Sequence, residues 1–499
     1  MIYYNKGEGR CYTLILLIRL RIEVTMVKVI RGGTIITSSE TYSADLLIEG
    51  EKIVQIGKNL SVSENFEQFD VTGKLILPGG VDVHTHFDLP MFDTVSSDDH
   101  YTGHKAAAFG GTTTVIDFVP QNSDQLIRDV DDWHAKADHK AAIDFGFHMN
   151  ITAFNQNVAD TIPQLIPEGI TTLKVFTAYN NRLRLLDGDI FRTMRIAKEY
   201  GFLTMLHAEN GDVIDILVEE ALAAGHFEPV YHALTRPAWG AVEAVARGVS
   251  LSAQSGAPLY IVHMNAAGEA DQLQYARELG LPVMGETCPQ YLFFNIDHLR
   301  RPDGAKWICS PPMRTEEDNE GLWLALKNGT IQVIATDHCP FFYDGKMPIQ
   351  YEGQPITIPG KELGKDNFTK IPNGLPCVGD RLPVLWTESV SKGRITPNQF
   401  VALMSTNPAK IFGLYPQKGS ILPGSDADIV IWDPKMKIPN YGVNWSHHRT
   451  DYNLFEGWVL QGYTDKVFLR GKLIVDGQHW LGNSGQGKYI KRTPFATVM

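Results

Sequence analysis

The chain has 499 residues, 43% of them hydrophobic, and a formal charge of −12; that is enough apolar content for a large core and more length than one compact domain ordinarily uses. Acidic and basic residues are interspersed rather than blocked, which argues against a nucleic-acid or anionic-membrane surface and suits a protein that handles small molecules. Five scattered cysteines, Cys11, Cys288, Cys309, Cys339 and Cys377, lack the spacing of a disulfide framework or a thiolate zinc site and place the chain in a reducing cytoplasm.

At the N-terminus, "CYTLILLIRLRIEV" resembles a signal h-region, but Arg19 and Arg21 interrupt it, no small-residue cleavage site follows, and it is too short to span a bilayer. Met26 directly precedes a clean strand and turn, so residues 1–25 read as an upstream extension, dispensable for folding, or else as an extra strand or interfacial element. From Val27 to Leu77 short strands alternate with turn residues ("VKVIRGG", "ADLLIEGEKIVQIG", "LILPGG"), and the same texture returns in "GSILPGSDADIVIWDP" and "DKVFLRGKLIVDGQ". Residues 26–78 and 419–478 are therefore expected to form one small β-sandwich, with residues 79–418 inserted between them.

The insertion alternates short apolar runs with amphipathic helical stretches such as "DVIDILVEEALAAG" and "RPAWGAVEAVARGVSLSAQSG". Its candidate strands are "GVDVHTH", "TTTVIDF", "DFGFHMNI", "TTLKVFT", "FLTMLHA", "LYIVHM", "LPVMGE" and "IQVIATD", eight in all. Eight βα units predict a closed (β/α)8 barrel with its active site at the C-terminal strand ends. The alternative, a doubly wound open sheet, lacks a Gly-rich phosphate loop after its first strand.

His84 and His86 are two apart in a strand, so they share a face and can chelate one divalent ion. His207, His263 and Asp337 each close an apolar run at the same end of the expected barrel. Such an all-N/O donor set fits Zn, Mn or a similar ion. Lys174, inside the apolar run "TTLKVFTAY", either snorkels to solvent or is buried with a depressed pKa. In the second case its neutral amine can add CO2 to give a carbamate able to bridge two metals roughly 3.5–4 Å apart.

"DVHTHFDLP", "GGTTTVIDF", "LKVFTAY", "HAEN", "ETCPQYLFF", "CSPPMR", "ATDHCPF" and "FTKIPNG" together resemble the dihydropyrimidinase and D-hydantoinase group of the amidohydrolase superfamily, over roughly residues 26–495. The resemblance implies a TIM barrel with a β-sandwich, a binuclear zinc site bridged by carboxylated Lys174, and a cytosolic homotetramer or homodimer. His84, His86 and Asp337 would hold the more buried ion, and His207 and His263 the more exposed one. A bridging hydroxide would attack the ring carbonyl of a cyclic ureide, Tyr179 would donate to the developing oxyanion, and Asp337 would move the proton to the leaving nitrogen.

Ser310 and Asn373 match the backbone positions that orient substrate, although "PNGLPCVGD" stands where many members have a second glycine or "PGVED". Met91, Phe176 and Leu183 match the apolar positions that select the ring's side chain, or else are ordinary packing. Asp88 occupies the position where dihydroorotases carry an arginine, which separates the chain from them. Allantoinases and the metal-free collapsin-response-mediator group are the remaining alternatives. The tail 479–499, with Lys488, Lys491 and Arg492, is expected to be an oligomer contact.

Overall fold

The computed structural model describes residues 27–495 apart from 62, 64 and 92; the expectation for residues 1–25 lies outside that range. One parallel sheet of eight strands runs β1 (Gly80–Thr85), β2 (Thr112–Val119), β3 (Asp144–Asn150), β4 (Thr172–Phe176), β5 (Leu203–His207), β6 (Leu259–Met264), β7 (Val283–Thr287), β8 (Val333–Ile334), each hydrogen-bonded to the next. A parallel bridge between Thr85 and His338, with His86 N–H donating to the His338 carbonyl at 2.8 Å, closes the ring. The strands read as continuous apolar runs because both faces are covered; every residue of β2 is buried. Alternation still sorts the side chains. Val81, Val83, Ile116, Phe118, Met205 and Val262 fill the interior, while Val115, Phe147, Leu173, Val175 and Ile261 pack outward under the helices.

The connecting helices follow their end signals. Asn210 caps the helix Gly211–Ala223 by accepting from the Val213 N–H. Asp187 and Asp189 occupy the first turn of Asp187–Tyr200, and Gly201, left-handed at φ 80°, ends it and turns the chain into β5.

Both ends of the chain build the second layer. A four-stranded sheet (Lys52–Gly57, Asp45–Glu49, Val27–Arg31, Glu67–Asp70) faces a seven-stranded one in which Ile429–Ile438 pairs with Leu75–Pro78. Ile30, Leu46, Ile48, Ile76, Ile429 and Phe468 form the core between them. Lys418, 1% exposed, joins this layer to the barrel through Asp144 of β3 at 2.5 Å, Asp428 at 2.8 Å and Asp426 at 3.0 Å. The tail crosses the N-terminal end of its own barrel: Lys488 accepts from Phe145 N–H, Ile490 N–H donates to the Phe145 carbonyl, and Arg492 and Phe495 donate to the carbonyls of Gly169 and Gly201.

Candidate active site

All six ligand-type residues named from the sequence converge at the C-terminal end of the barrel, from β1, β4, β5, β6 and the end of β8. Nε2 of His84 and Nε2 of His86 each lie 3.1 Å from Asp337 Oδ1. Each of these three residues offers one ligand atom, and the three atoms lie within 4.8 Å of one another. On the far side of the cluster His207 Nδ1 faces His263 Nε2 at 3.0 Å. His263 and Asp337 adopt left-handed backbone at φ 39° and 55°, a strained conformation for non-glycine residues that concentrates at functional sites.

Lys174 is 2% exposed, with its Nζ over the rings of Phe118 at 4.9 Å and Phe176 at 5.4 Å. It is buried, not snorkelling. Among the described residues no carboxylate lies within 4.0 Å of it, and burial pulls its pKa down to about 8 despite the more distant charges of Asp337 and Glu286. Burial likewise holds His86 near 4 and His263 well below the ordinary imidazole value, leaving neutral ring nitrogens, the form that binds metals. For Asp337 burial opposes ionisation, but the imidazoles around it win and keep the carboxylate well below its usual range. The donor set thus fits divalent ions: three imidazoles whose pKa burial lowers, His84, whose pKa Asp337 and Glu286 raise against its burial, one carboxylate, and a lysine with no anion beside it.

Two acids that the sequence reading passed over stand behind these ligands. Glu286, fully buried on β7, bonds His84 Nδ1 and also receives the Tyr260 hydroxyl at 3.0 Å and the His263 N–H at 3.3 Å. Glu209 bonds His207 Nε2 at 2.9 Å. A carboxylate on one ring nitrogen draws the proton there and leaves the other as a lone pair. The signal was present in "GETCPQ" and "HAEN", each an acid at the close of an apolar strand.

The remaining named residues line one cavity of roughly 370 Å³: Met91, Phe176, Tyr179, Leu183, Ser310 and Asn373. Tyr179, at φ 66°, closes a turn in which its carbonyl accepts from the N–H groups of Arg182, Leu183 and Arg184. Its phenol bonds Ser310, and burial with the Glu209 charge raises it well above the usual phenol range, so it stays a donor. Asn373 Nδ2 donates to Ser310 Oγ at 3.1 Å, and the backbone after it is fixed by Gly374 N–H donating to the Ile308 carbonyl at 3.0 Å. Asp88 points elsewhere, meeting Lys140 Nζ at 3.1 Å.

Comparison with known proteins agrees with this geometry. Residues 75–474 match the amidohydrolase family. The chain is 45% identical to a D-hydantoinase of Geobacillus stearothermophilus over 95% of its own length and 98% of that protein. It is 42% identical to a D-hydantoinase of Streptomyces coelicolor, covering 93% and 97%. A solved dihydropyrimidinase from Brevibacillus agri superposes with a TM-score of 0.89 at 46% identity, covering 94% of this chain and all 100% of that one.

Proposed function

The chain belongs to the amidohydrolase family, among relatives named D-hydantoinase and dihydropyrimidinase, and from that premise we propose that it opens 5,6-dihydropyrimidine and 5-substituted hydantoin rings to N-carbamoyl amino acids. It is a hydrolase of cyclic amides. The observation that carries the substrate reading is an apolar cavity rim of Met91, Phe176 and Leu183 over a ligand cluster, with no arginine at position 88 to clamp a ring carboxylate.

Family membership implies a two-metal centre. His84, His86 and Asp337 would hold one ion and His207 and His263 the other, with zinc the expected metal. Lys174 would join them as a carbamate, its amine nitrogen bonding the carbon of CO2 with loss of a proton, so that two oxygens are added to the donor set. When bound, two divalent ions acidify water and polarise the substrate carbonyl. Asp337 takes up the proton of the attacking water at its carboxylate and returns it to the departing ring nitrogen. Tyr179 donates its phenolic O–H to the carbonyl oxygen as negative charge gathers there. The backbone at Ser310 and Asn373 orients the ureide edge of the ring, and the apolar rim receives its substituent.

The reading includes a cytoplasmic homodimer or homotetramer; among the described residues no helix is long and apolar enough to cross a membrane. Zinc- or manganese-loaded protein assayed on dihydrouracil, 5-substituted hydantoins, allantoin and dihydroorotate should turn over the first two classes, with N-carbamoyl products identified by mass. Preference for allantoin or dihydroorotate, or no turnover of any ring at full metal loading, would overturn it.

A further inference from the structure

Lys361 is a buried lysine with no part in the chemistry described above. It is 1% exposed, at the start of the short 3-10 turn Lys361–Gly364. Its backbone N–H donates to the Phe342 carbonyl at 2.7 Å, and the preceding Gly360 fits there only because it lacks a Cβ, which would meet that same carbonyl at 2.1 Å. From this anchor the Nζ donates to the Ile308 carbonyl at 2.9 Å and to the Pro372 carbonyl at 3.1 Å. Those two carbonyls belong to separate segments of the cavity wall. Ile308 lies two residues before Ser310, and Pro372 immediately precedes Asn373. The Ile308 carbonyl also accepts from Gly374. One amine therefore ties three stretches of loop together, beside the backbone bond from Cys339 N–H to the Leu375 carbonyl at 3.1 Å.

We propose that Lys361 is a substrate-positioning residue: by holding Ile308 and Pro372 at a fixed separation, it sets the spacing of the Ser310 and Asn373 groups that grip the ureide edge of the ring. The proposal rests on the ring-hydrolase reading above. Its logic is that a cyclic ureide presents donors and acceptors at fixed distances, so two loops gripping it must keep their own spacing, and displacements of about 1 Å cost heavily in such sites. A neutral amine keeps two N–H groups, enough for both carbonyls, so the strut does not depend on the protonation state.

Lys361→Met keeps an unbranched side chain of similar volume, one atom shorter, and removes both donors. The zinc-loaded variant is expected to show KM for dihydrouracil or a 5-substituted hydantoin raised about tenfold or more, kcat within about threefold, and unchanged metal content, because lost positioning shows in binding of the ring rather than in the metal centre. Lys361→Gln, which retains an amide donor for one carbonyl, should fall between the two; should the Met variant not fold, the Gln variant is read alone, with a raised KM expected. A purely structural strut would lower Tm and leave the kinetic constants of the folded enzyme alone, and that result in the folded variants overturns the proposal. So does a kcat loss that tracks metal loss. If the unaltered enzyme opens none of these rings, the ring-hydrolase reading has failed instead.

Discussion

Two buried lysines sit at opposite ends of the barrel and could hardly be treated more differently. At the N-terminal end Lys418 is enclosed by three carboxylates at 2.5 to 3.0 Å. At the C-terminal end Lys174 faces two aromatic rings, with its nearest balancing acids beyond ion-pair distance. Burial of a charge is tolerated when it is paired and is otherwise relieved by neutralisation. The Lys418 end is therefore finished as it stands: Arg470 on Asp144 and Lys52 on Asp426 complete the charge balance, and the tail is laid over it. The Lys174 end instead sets ring nitrogens facing one another and holds Tyr179, His263 and Asp337 at left-handed φ. On the proposed reading, a carbamate on Lys174 and two divalent ions would complete it.

The largest expected effect breaks this contrast directly. Lys174→Ala should lose bound metal and lower the rate on the order of 1,000-fold or more, since several kcal/mol of transition-state stabilisation depend on the ions. Short carboxylic acids should restore part of both, standing in for the carbamate. Lys418→Met should do the reverse: it removes the cation shared by three carboxylates, leaving Asp144 with Arg470 and Asp426 with Lys52, and destabilises the fold by about 3–5 kcal/mol, while the protein that remains folded keeps its metal. Elemental analysis and denaturant melts on both variants check the pair. A Lys174→Ala enzyme with full metal content and normal turnover would refute the assignment.

The next effect is smaller and sharpens the picture of the Lys174 end. Glu286 holds the Nδ1 side of His84, so Glu286→Ala should weaken metal binding about 10–100-fold. Glu286→Gln, which can still accept from the imidazole, should lose less. Competition with a chromophoric chelator measures both, and equal affinities in the two variants would contradict a role in fixing the tautomer.

This pair also shows where the sequence stops being informative. The barrel strands were legible because each is a short apolar run bounded by turn residues, and the ligands because a histidine, lysine or aspartate at the end of such a run stands out. Glu286 stands 202 residues from His84, and its meaning depends on a neighbour that only ring closure supplies. Lys361 was invisible for the same reason: "PGKELGKD" reads as a polar loop, and nothing local says that its amine turns inward to two carbonyls. The path of the tail was hidden too, since "GQGKYIKRTPF" carries exposed-looking cations although Arg492 is buried, its guanidinium on the Phe147 carbonyl and on Thr172 Oγ1.

The last expected effect concerns another buried lysine, Lys361, which stands between the two extremes, hydrogen-bonded but unpaired. Burial lowers the Lys361 pKa to about 7, with the nearby Cys309 and Cys339 opposing the shift only weakly. The unfolded chain holds that proton up to the ordinary lysine value near 10.4, so between about pH 7 and pH 10 the unfolded state binds more protons than the folded one. Stability attributable to this residue must then rise with pH across that window. The opposite trend would require a folded-state pKa above the unfolded one, as for a lysine paired with a carboxylate. Thermal melts of the unaltered protein and of Lys361→Met at matched pH isolate the residue, because every other titrating group largely cancels in the difference. The Tm of the unaltered protein should gain on that of the variant as the pH is raised from 7 to 10; a difference that stays flat would mean that Lys361 keeps its proton in the folded state and that its two carbonyl bonds are charge-assisted throughout.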